Sequence, residues 1–198
     1  MSSIKLKHSG GNSVSIAAPS SNPASNRTLT VPSNADGTIL TTTSPKSGNI
    51  LQVKNTLKVD QFTTNSTSWT DITGLSIDIT ATSSSNTFYI SCYVFANCQD
   101  SAVLRLVKDG TVIAAGTGSS DSSPANYQGF AFVRQNSSSS GGCFGIAFLD
   151  TPGDTNSHTY KVQGLSENGS SYALTVNRRA SDQAWSLSSS ITAMEVAA

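Results

Sequence analysis

The chain has 198 residues, enough for one domain of ordinary size and an additional segment but too few for two full domains. Charged residues make up 12%, about half of the roughly 25% typical of globular proteins, and Ser, Thr, Asn and Gly fill the polar positions. Hydrophobic residues (36%) arrive in compact runs, which excludes disorder throughout the chain.

Residues 1–57 are predicted to form an extended N-terminal arm. Two short alternations, Ser13–Ile16 and Thr28–Val31, predict strands that are covered on one side. An isolated strand is not stable in water, so we expect the arm to be ordered by packing on another copy of the chain or on a larger assembly. Four prolines interrupt every longer element: Pro19, Pro23, Pro32 and Pro45.

The arm is basic. Residues 1–58 hold six basic residues and one acidic residue, a net charge of +5, so the rest of the chain carries −5. Such an arm is suited to an acidic protein surface. Nucleic-acid binding is not expected, because the charges are scattered singly and no aromatic residues lie between them.

Residues 58–198 are predicted to form a β-sandwich. Leu75–Ile79 alternates between apolar and polar residues, and Thr87–Ala96 is nearly continuous in β-forming residues, as expected for a strand that is buried on both faces or central in a sheet. Val103–Val107 and Val112–Ala115 flank Asp109-Gly110, the dipeptide that favours a type I′ hairpin turn. Further predicted strands are Gly129–Arg134, Cys143–Leu149, His158–Val162, Tyr172–Val176 and Ile191–Val196.

These strands predict an all-β fold. No helical pattern competes with them, and Ser/Gly-rich loops are predicted at 118–124 and 136–142. Eight or more short antiparallel strands in about 140 residues fit a two-sheet sandwich, for which a jelly roll is the favoured topology. An immunoglobulin-like sandwich is the alternative, but the order of Cys and Trp residues that it needs is absent.

Cysteine usage and hydropathy indicate where the chain is made. Cys92, Cys98 and Cys143 cannot all pair within one chain, and without a Cys-x-x-Cys spacing we expect buried free thiols. The N-terminus lacks the apolar segment of a signal peptide, and no run approaches the roughly 20 apolar residues of a membrane span. These features predict synthesis in a cytoplasm and no membrane span.

Catalytic patterns are weak. The chain has only His8, in the arm, and His158, so a hydrolase would need His158 with a serine and an acid brought together by folding. The segment Asp150–Gly153 matches the Asp-x-x-Gly of GTPases, but no phosphate-binding loop accompanies it, and it is interpreted as a turn. We therefore expect no enzyme activity, and a hydrolase using His158 is the alternative.

No cofactor or metal site is expected. Trp69, Tyr127 and Trp185 are candidates for a sugar-stacking platform, although single aromatic residues in a sandwich are more often core or interface anchors. The acidic residues are scattered, so only folding could bring them together as a glycosidase pair or a calcium site, and neither site is assigned. The residues concerned are Asp100, Asp109, Asp121, Asp150 and Asp154.

Several segments resemble structural proteins of bacteriophages. The opening, Ser3–Val14 with Thr28–Pro32 and Ala35–Thr38, resembles the start of structural proteins of marine and cyanobacterial phages. The second half is similar to a C-terminal module of phage fibre proteins. The matching segments there are Trp69–Leu75, Leu104–Thr111, Phe148–Pro152, Thr159–Val162 and Ile191–Ala198.

The resemblance implies a virion structural protein, made in the host bacterial cytoplasm. It implies a jelly roll related in shape to trimeric tumour-necrosis-factor-like and C1q-like heads, displayed as a tail, neck or head fibre, and it identifies no catalytic residues. We expect a homotrimer with the aromatic runs Phe88–Phe95 and Phe130–Phe132 at its axis, and we expect residues 1–57 to dock on capsid, neck or tail proteins. The alternatives are a capsid decoration or cement protein, because no coiled-coil heptads are present, and a carbohydrate-binding module for host surface glycans.

Overall fold

The computed structural model describes residues 3–17, 20–21, 45–117, 127–182 and 184–198. The chain divides into two compact units, Met1–Ile39 and Leu40–Ala198, each of which is described by itself. The strands among the described residues are β1 (Ser3–Lys7), β2 (Ser13–Ala17), β3 (Ile50–Lys58), β4 (Phe62–Thr64), β5 (Thr70–Thr80), β6 (Thr87–Asn97), β7 (Ala102–Lys108), β8 (Thr111–Ile113), β9 (Ala131–Val133), β10 (Gly142–Asp150), β11 (Ser157–Ser166), β12 (Leu174–Val176) and β13 (Ser189–Val196).

The first unit contains an antiparallel hairpin of β1 and β2, paired from Ser3 with Ala17 to Lys7 with Ser13. The backbone N–H of His8 donates to the carbonyl of Asn12 at 2.7 Å and closes the turn. The strand predicted at Ser13–Ile16 is thus confirmed, and its partner is a second strand of the arm. The strand predicted at Thr28–Val31 and the loop predicted at 118–124 lie outside the described residues.

Strand β6, which with β5 is one of the two longest strands of the second unit, is the centre of one sheet. Along one side of β6, β10 pairs from Phe88 to Ala96. The other side is shared, because β13 pairs with residues 87–93 and β12 with residues 96–97. Since β3 pairs with β13 and β4 with β12, the long strands follow the order β3-β13-β6-β10. The predicted central position of this strand is confirmed.

The second sheet has the order β5-β11-β7, and β8 and β9 both pair with β7. When the short strands β4, β9 and β12 are set aside, the remaining described strands of the second unit can be numbered 1 to 8 along the chain. The first sheet then has the order 1-8-3-6 and the second sheet the order 2-7-4-5. This alternation is the jelly-roll arrangement. The predicted all-β antiparallel jelly-roll sandwich is confirmed, and the described residues add only one turn of 3-10 helix, Gly169–Ser171.

Alternating side chains of both sheets fill the space between them. In β5 the buried residues Leu75, Ile77 and Ile79 alternate with exposed ones, as the sequence pattern predicts. Phe88 of one sheet and Tyr160 of the other meet edge to face, with ring centroids 6.2 Å apart. The burial of these rows holds the two sheets together.

The hairpin predicted at Asp109-Gly110 is present. Lys108 pairs with Thr111, which leaves a two-residue turn in which Asp109 has φ 49° and Gly110 has φ 85°. Positive φ at both central positions defines the type I′ turn. The second strand ends at Ile113, earlier than predicted, because Ala114 has φ 51° and leaves the extended conformation.

The sandwich begins before residue 58, the predicted start. Strand β3 is paired with β13 along nearly its whole length. It also reaches the other sheet, since Lys54 Nζ donates to the carbonyl of Asp78 at 2.8 Å and Thr56 Oγ1 donates to the carbonyl of Ser76 at 2.9 Å. The predicted boundary at 57/58 therefore falls inside a strand, whose partner lies more than 130 residues away along the chain.

Two of the three predicted buried thiols are buried. Cys92 and Cys98 lie in the core, whereas Cys143 is exposed on the outer side of β10, and all three are free. Burial raises the pKa of the Cys92 thiol to about 11. Among the described residues, no helix is long and apolar enough to cross a bilayer.

Candidate functional site

The strand residues that point to the outer side of the β3-β13-β6-β10 sheet, all within the described part of the chain, include no charged residue. Residues directly opposite each other on paired strands point to the same side of a sheet, so the registers assign these residues, with a register shift where Val196 pairs with Ile50. We call this side of the sheet the uncharged face. It consists of Ile50, Val53, Asn55 and Leu57 of β3; Ser190, Thr192, Met194 and Val196 of β13; Thr87, Tyr89, Ser91, Tyr93 and Phe95 of β6; and Cys143, Gly145, Ala147 and Leu149 of β10.

Large apolar side chains of this face are open to solvent. Tyr93 is 60% exposed, Leu149 62% and Leu57 59%. The outer side of an antiparallel sheet normally carries polar residues. The charged residues of these strands point to the interior side instead, where Lys54 bonds to the other sheet and Glu195 is fully buried.

The outer surface of β5, β11 and β7 has the opposite character, and we call it the charged face. Lys161 Nζ and Gln163 Nε2 both donate to the carboxylate of Asp71, at 2.8 and 2.6 Å. The hydrogen bond from Lys161 has the largest effect and that from Gln163 the next, and together they hold the pKa of Asp71 below its usual value. Arg105 donates to Gln163 Oε1 at 2.7 Å, and its guanidinium lies 4.0 Å from the ring centre of Trp69.

His158, the candidate catalytic base, is held between two carboxylates. Its Nδ1 lies 2.6 Å from Asp109 Oδ2 and its Nε2 lies 3.0 Å from Asp154 Oδ1. The bond from His158 and that from the backbone N–H of Thr159 hold the pKa of Asp109 below its usual value. Both ring nitrogens are occupied, so neither is open to take a proton from a serine. The arrangement ties the β7–β8 turn to the start of β11.

A buried carboxylate closes the same end of the sandwich. Glu195 Oε1 accepts from the backbone N–H of Thr82 at 2.6 Å, from Thr82 Oγ1 at 2.7 Å and from Asn86 Nδ2 at 2.7 Å, and its Oε2 accepts from Gln52 Nε2 at 2.6 Å. Burial by itself raises the pKa of this carboxyl, but the four hydrogen bonds outweigh burial and the pKa lies below its usual value. The three bonds to Oε1 clamp the last strand to the β5–β6 turn, and the fourth joins it to β3.

The scattered aspartates of the sequence have separate partners. Asp150 accepts from Lys108 Nζ at 2.7 Å and from the hydroxyl of Tyr160 at 2.5 Å, while Asp100 lies near Asn168 and Arg134. Asp121 lies outside the described residues. Within the part of the chain that the structure describes, no three acidic, His or Cys side chains form a group suited to a metal ion.

The three candidate sugar-stacking aromatics do not lie on one surface. Trp69 stacks on Arg105 of the charged face. Trp185 packs on Phe95 of the uncharged face, with ring centroids 6.0 Å apart. Tyr127 lines a hollow of about 250 Å³ beside β7 and β9. A shared platform of Trp69 and Trp185 is excluded, because each stands on the outer side of a different sheet.

Sequence reasoning missed the uncharged face. The aromatic run of β6 was expected at a threefold axis, but the pleat divides it, so that Phe88 points into the core and Tyr89, Tyr93 and Phe95 point outward. The available signal was the absence of charged residues at alternate positions of the strands. No protein-family model matches the chain, and a comparison with curated proteins finds no match either. The fold and this face define a jelly-roll domain with an unusual, charge-free sheet surface.

Proposed function

We propose that the protein is a non-enzymatic structural subunit of a bacteriophage virion that forms a homotrimer through the uncharged face. The carrying observation is the lack of any charge on the outer side of four adjacent strands, where Tyr93 and Leu149 are mostly exposed. The resemblance of the arm and of the C-terminal segments to phage structural proteins supplies the virion context.

The size of the face supports an interface. Four strands spaced about 4.8 Å apart and about seven residues long, at roughly 3.3 Å per residue, present a projected area of roughly 400 Å². The largest apolar patch on a typical soluble monomer is about 300–600 Å² and is often functional. The uncharged face reaches this range, and its flanking loops supply the remaining area of an interface with two neighbours.

Copies of the same chain are the occupant that the chemistry favours. At a threefold axis the groups on the axis approach their own copies, so a charge placed there would be repelled by its copies. A different partner is usually selected by complementary charge. The uncharged face offers none, whereas the charged face of the same sandwich does.

The N-terminal arm is the proposed attachment segment. Its hairpin exposes Leu6 and Ile16, and Lys5 and Lys7 are exposed beside them. Basic side chains around exposed apolar ones suit an acidic protein surface on a capsid, neck or tail. Attachment through such charges weakens as salt screens them.

Mass measurement in solution tests the proposal. Size-exclusion chromatography with light scattering on the full chain should give three times the mass of one chain at micromolar concentration. Tyr93→Lys places a charge on the uncharged face and should give a folded monomer. Thr73→Lys places the same charge on the exposed outer side of β5 and should leave the trimer intact. A wild-type monomer would overturn the proposal.

Recognition of host glycans is a second candidate function. The hollow beside Tyr127 is lined by Phe130, Phe132 and Glu167, and Phe132 is 54% exposed. An aromatic ring next to a carboxylate is a pattern that binds sugars through stacking and hydroxyl bonds. A glycan array with wild type and Phe132→Ala tests it. If the array retains no glycan, only the proposed structural role remains.

A further inference from the structure

A polar hollow of about 210 Å³ lies where β12 meets the distal end of β6, remote from Glu195. Strand β4, the 3-10 turn and two loops complete its walls. It belongs to neither face described above. The residues that line it are Thr63, Gln99, Ser138, Ser171, Tyr172, Ala173, Thr175, Arg178 and Ala180.

Arg178 is the charged residue among these lining residues, and its guanidinium meets neutral oxygens. It donates to Thr63 Oγ1 at 3.3 Å, to the carbonyl of Arg179 at 3.3 Å and to the carbonyl of Ala180 at 3.4 Å. No carboxylate of the described residues lies within 4.0 Å of it. Asp182, four residues further along the chain, is bound by Arg179, through Nε at 2.7 Å.

The guanidinium of Arg178 keeps capacity for an anion. A guanidinium has five N–H donors. Three are engaged, one on each nitrogen, so one donor remains on each terminal nitrogen. Two such donors are what a carboxylate or a similar oxyanion accepts.

The rest of the lining offers partners for hydroxyl groups. The side chains of Gln99, Ser138 and Ser171 make no hydrogen bond to any other described residue. Thr175, which also lines the hollow, lies directly opposite Asn97 in the strand register.

We propose that this hollow binds one acidic sugar residue of a surface glycan, with the acid group on Arg178 and the ring hydroxyls on Gln99, Ser138 and Ser171. The hollow is smaller than the roughly 300–1,000 Å³ of sites for drug-sized ligands, which fits a single ring. A small inorganic anion would use Arg178 but leave the surrounding amide and hydroxyl groups without a function. The inference rests on the second candidate function, glycan recognition, and places an acidic-sugar site in a hollow separate from the one beside Tyr127.

The test is a glycan array carrying uronic acid, sialic acid and sulfated oligosaccharides beside their neutral counterparts, probed with the full chain. At least one acidic glycan should be retained, with its neutral counterpart bound at least tenfold more weakly. Arg178→Gln should weaken that binding at least tenfold. Arg134→Gln, which changes an exposed arginine that does not line the hollow, should change it less than twofold. Ser171→Tyr, which fills the hollow and keeps Arg178, should also abolish binding.

Each outcome separates the hypotheses. Binding of acidic and neutral glycans alike, lost in Phe132→Ala and kept in Arg178→Gln, would confirm glycan recognition and overturn the Arg178 site. Retention of no glycan would overturn both. Competition by sodium sulfate at the same concentration as the free acidic sugar would overturn sugar recognition and leave an anion site. Circular dichroism confirms that each variant is folded, and the trimer measurement is independent because one chain forms the hollow.

Discussion

The two outer faces of the sandwich are built on the same pleated strands but suit different surroundings. On the charged face Lys161 and Gln163 both donate to the carboxylate of Asp71 on the neighbouring strand. On the uncharged face Tyr93 and Leu149 stand among Ser, Thr, Gly and Ala. Both sheets are stabilised by burial of their inward-pointing side chains, so folding does not constrain which residues point outward. The difference between them therefore makes the uncharged face, rather than the charged face, the candidate for contact with another chain.

Removal of β3 should have the largest effect. Deleting residues 1–57 takes away the edge strand of the uncharged face, its pairing with β13 and its bonds to β5, and the loss of this much structure approaches the roughly 5–15 kcal/mol that stabilises a domain. We expect an aggregating chain without a cooperative thermal transition. Deleting residues 1–44 should keep a folded sandwich that no longer joins particles. Cooperative unfolding of the shorter chain, residues 58–198, would show that β3 is dispensable.

Reactivity of Cys143 should distinguish a covered face from an open one. Cys143 is exposed in the single chain and lies on the uncharged face opposite Phe95. In the trimer it should react with a maleimide at least tenfold more slowly than in the Tyr93→Lys monomer. Cys92 and Cys98 should react in neither, since both are buried. Equal rates of Cys143 in the two proteins would place it outside the interface.

Glu195 should contribute a smaller, pH-dependent stability. Glu195 is the charged residue of β13. In Glu195→Gln an amide N–H₂ group faces hydrogen-bond donors where a carboxylate oxygen accepted from them, which should lower the free energy of unfolding by about 1–3 kcal/mol. Its folded pKa lies below the ordinary value of 4.5, so its contribution is present above about pH 4.5 and is lost as pH falls through the folded-state pKa. Urea denaturation in the Tyr93→Lys monomer at pH 7 and pH 3 measures this.

The exposed Glu167 provides the matched control for Glu195. Glu167→Gln should change the free energy of unfolding by no more than about 0.5 kcal/mol at either pH. A Glu195→Gln variant with unchanged stability at pH 7 would contradict the clamp assigned to this carboxylate.

The smallest effect is expected on the charged face. Asp71→Asn removes an exposed ion pair with Lys161, and exposed pairs are worth about 0.2–1 kcal/mol after screening by water and salt. The loss should shrink further in 0.5 M NaCl, as denaturation curves at low and high salt would show. Asp71→Asn should leave the oligomeric state unchanged. A change in mass would mean that the charged face also forms a contact between subunits.

The sequence by itself determined the elements that depend on neighbours along the chain. Alternation fixed β5 because every second residue of Leu75–Ile79 must face the core. The β7–β8 hairpin followed from Asp109-Gly110, since few other dipeptides adopt positive φ at both positions at low cost. Strand composition and turn spacing together determined the all-β class and the jelly roll, because short antiparallel strands must bury one face each.

Only the tertiary structure decided the features that depend on distant partners. β3 joins the sandwich through β13, so its sequence, which is half polar and follows the proline-rich arm, does not reveal its place. The two carboxylates around His158, the donors around Glu195 and the walls around Arg178 likewise come from separate strands and loops. The uncharged face arises because registers align the outer rows of four strands. Pairing between residues far apart in sequence is set by how the whole core packs, and no local pattern records it.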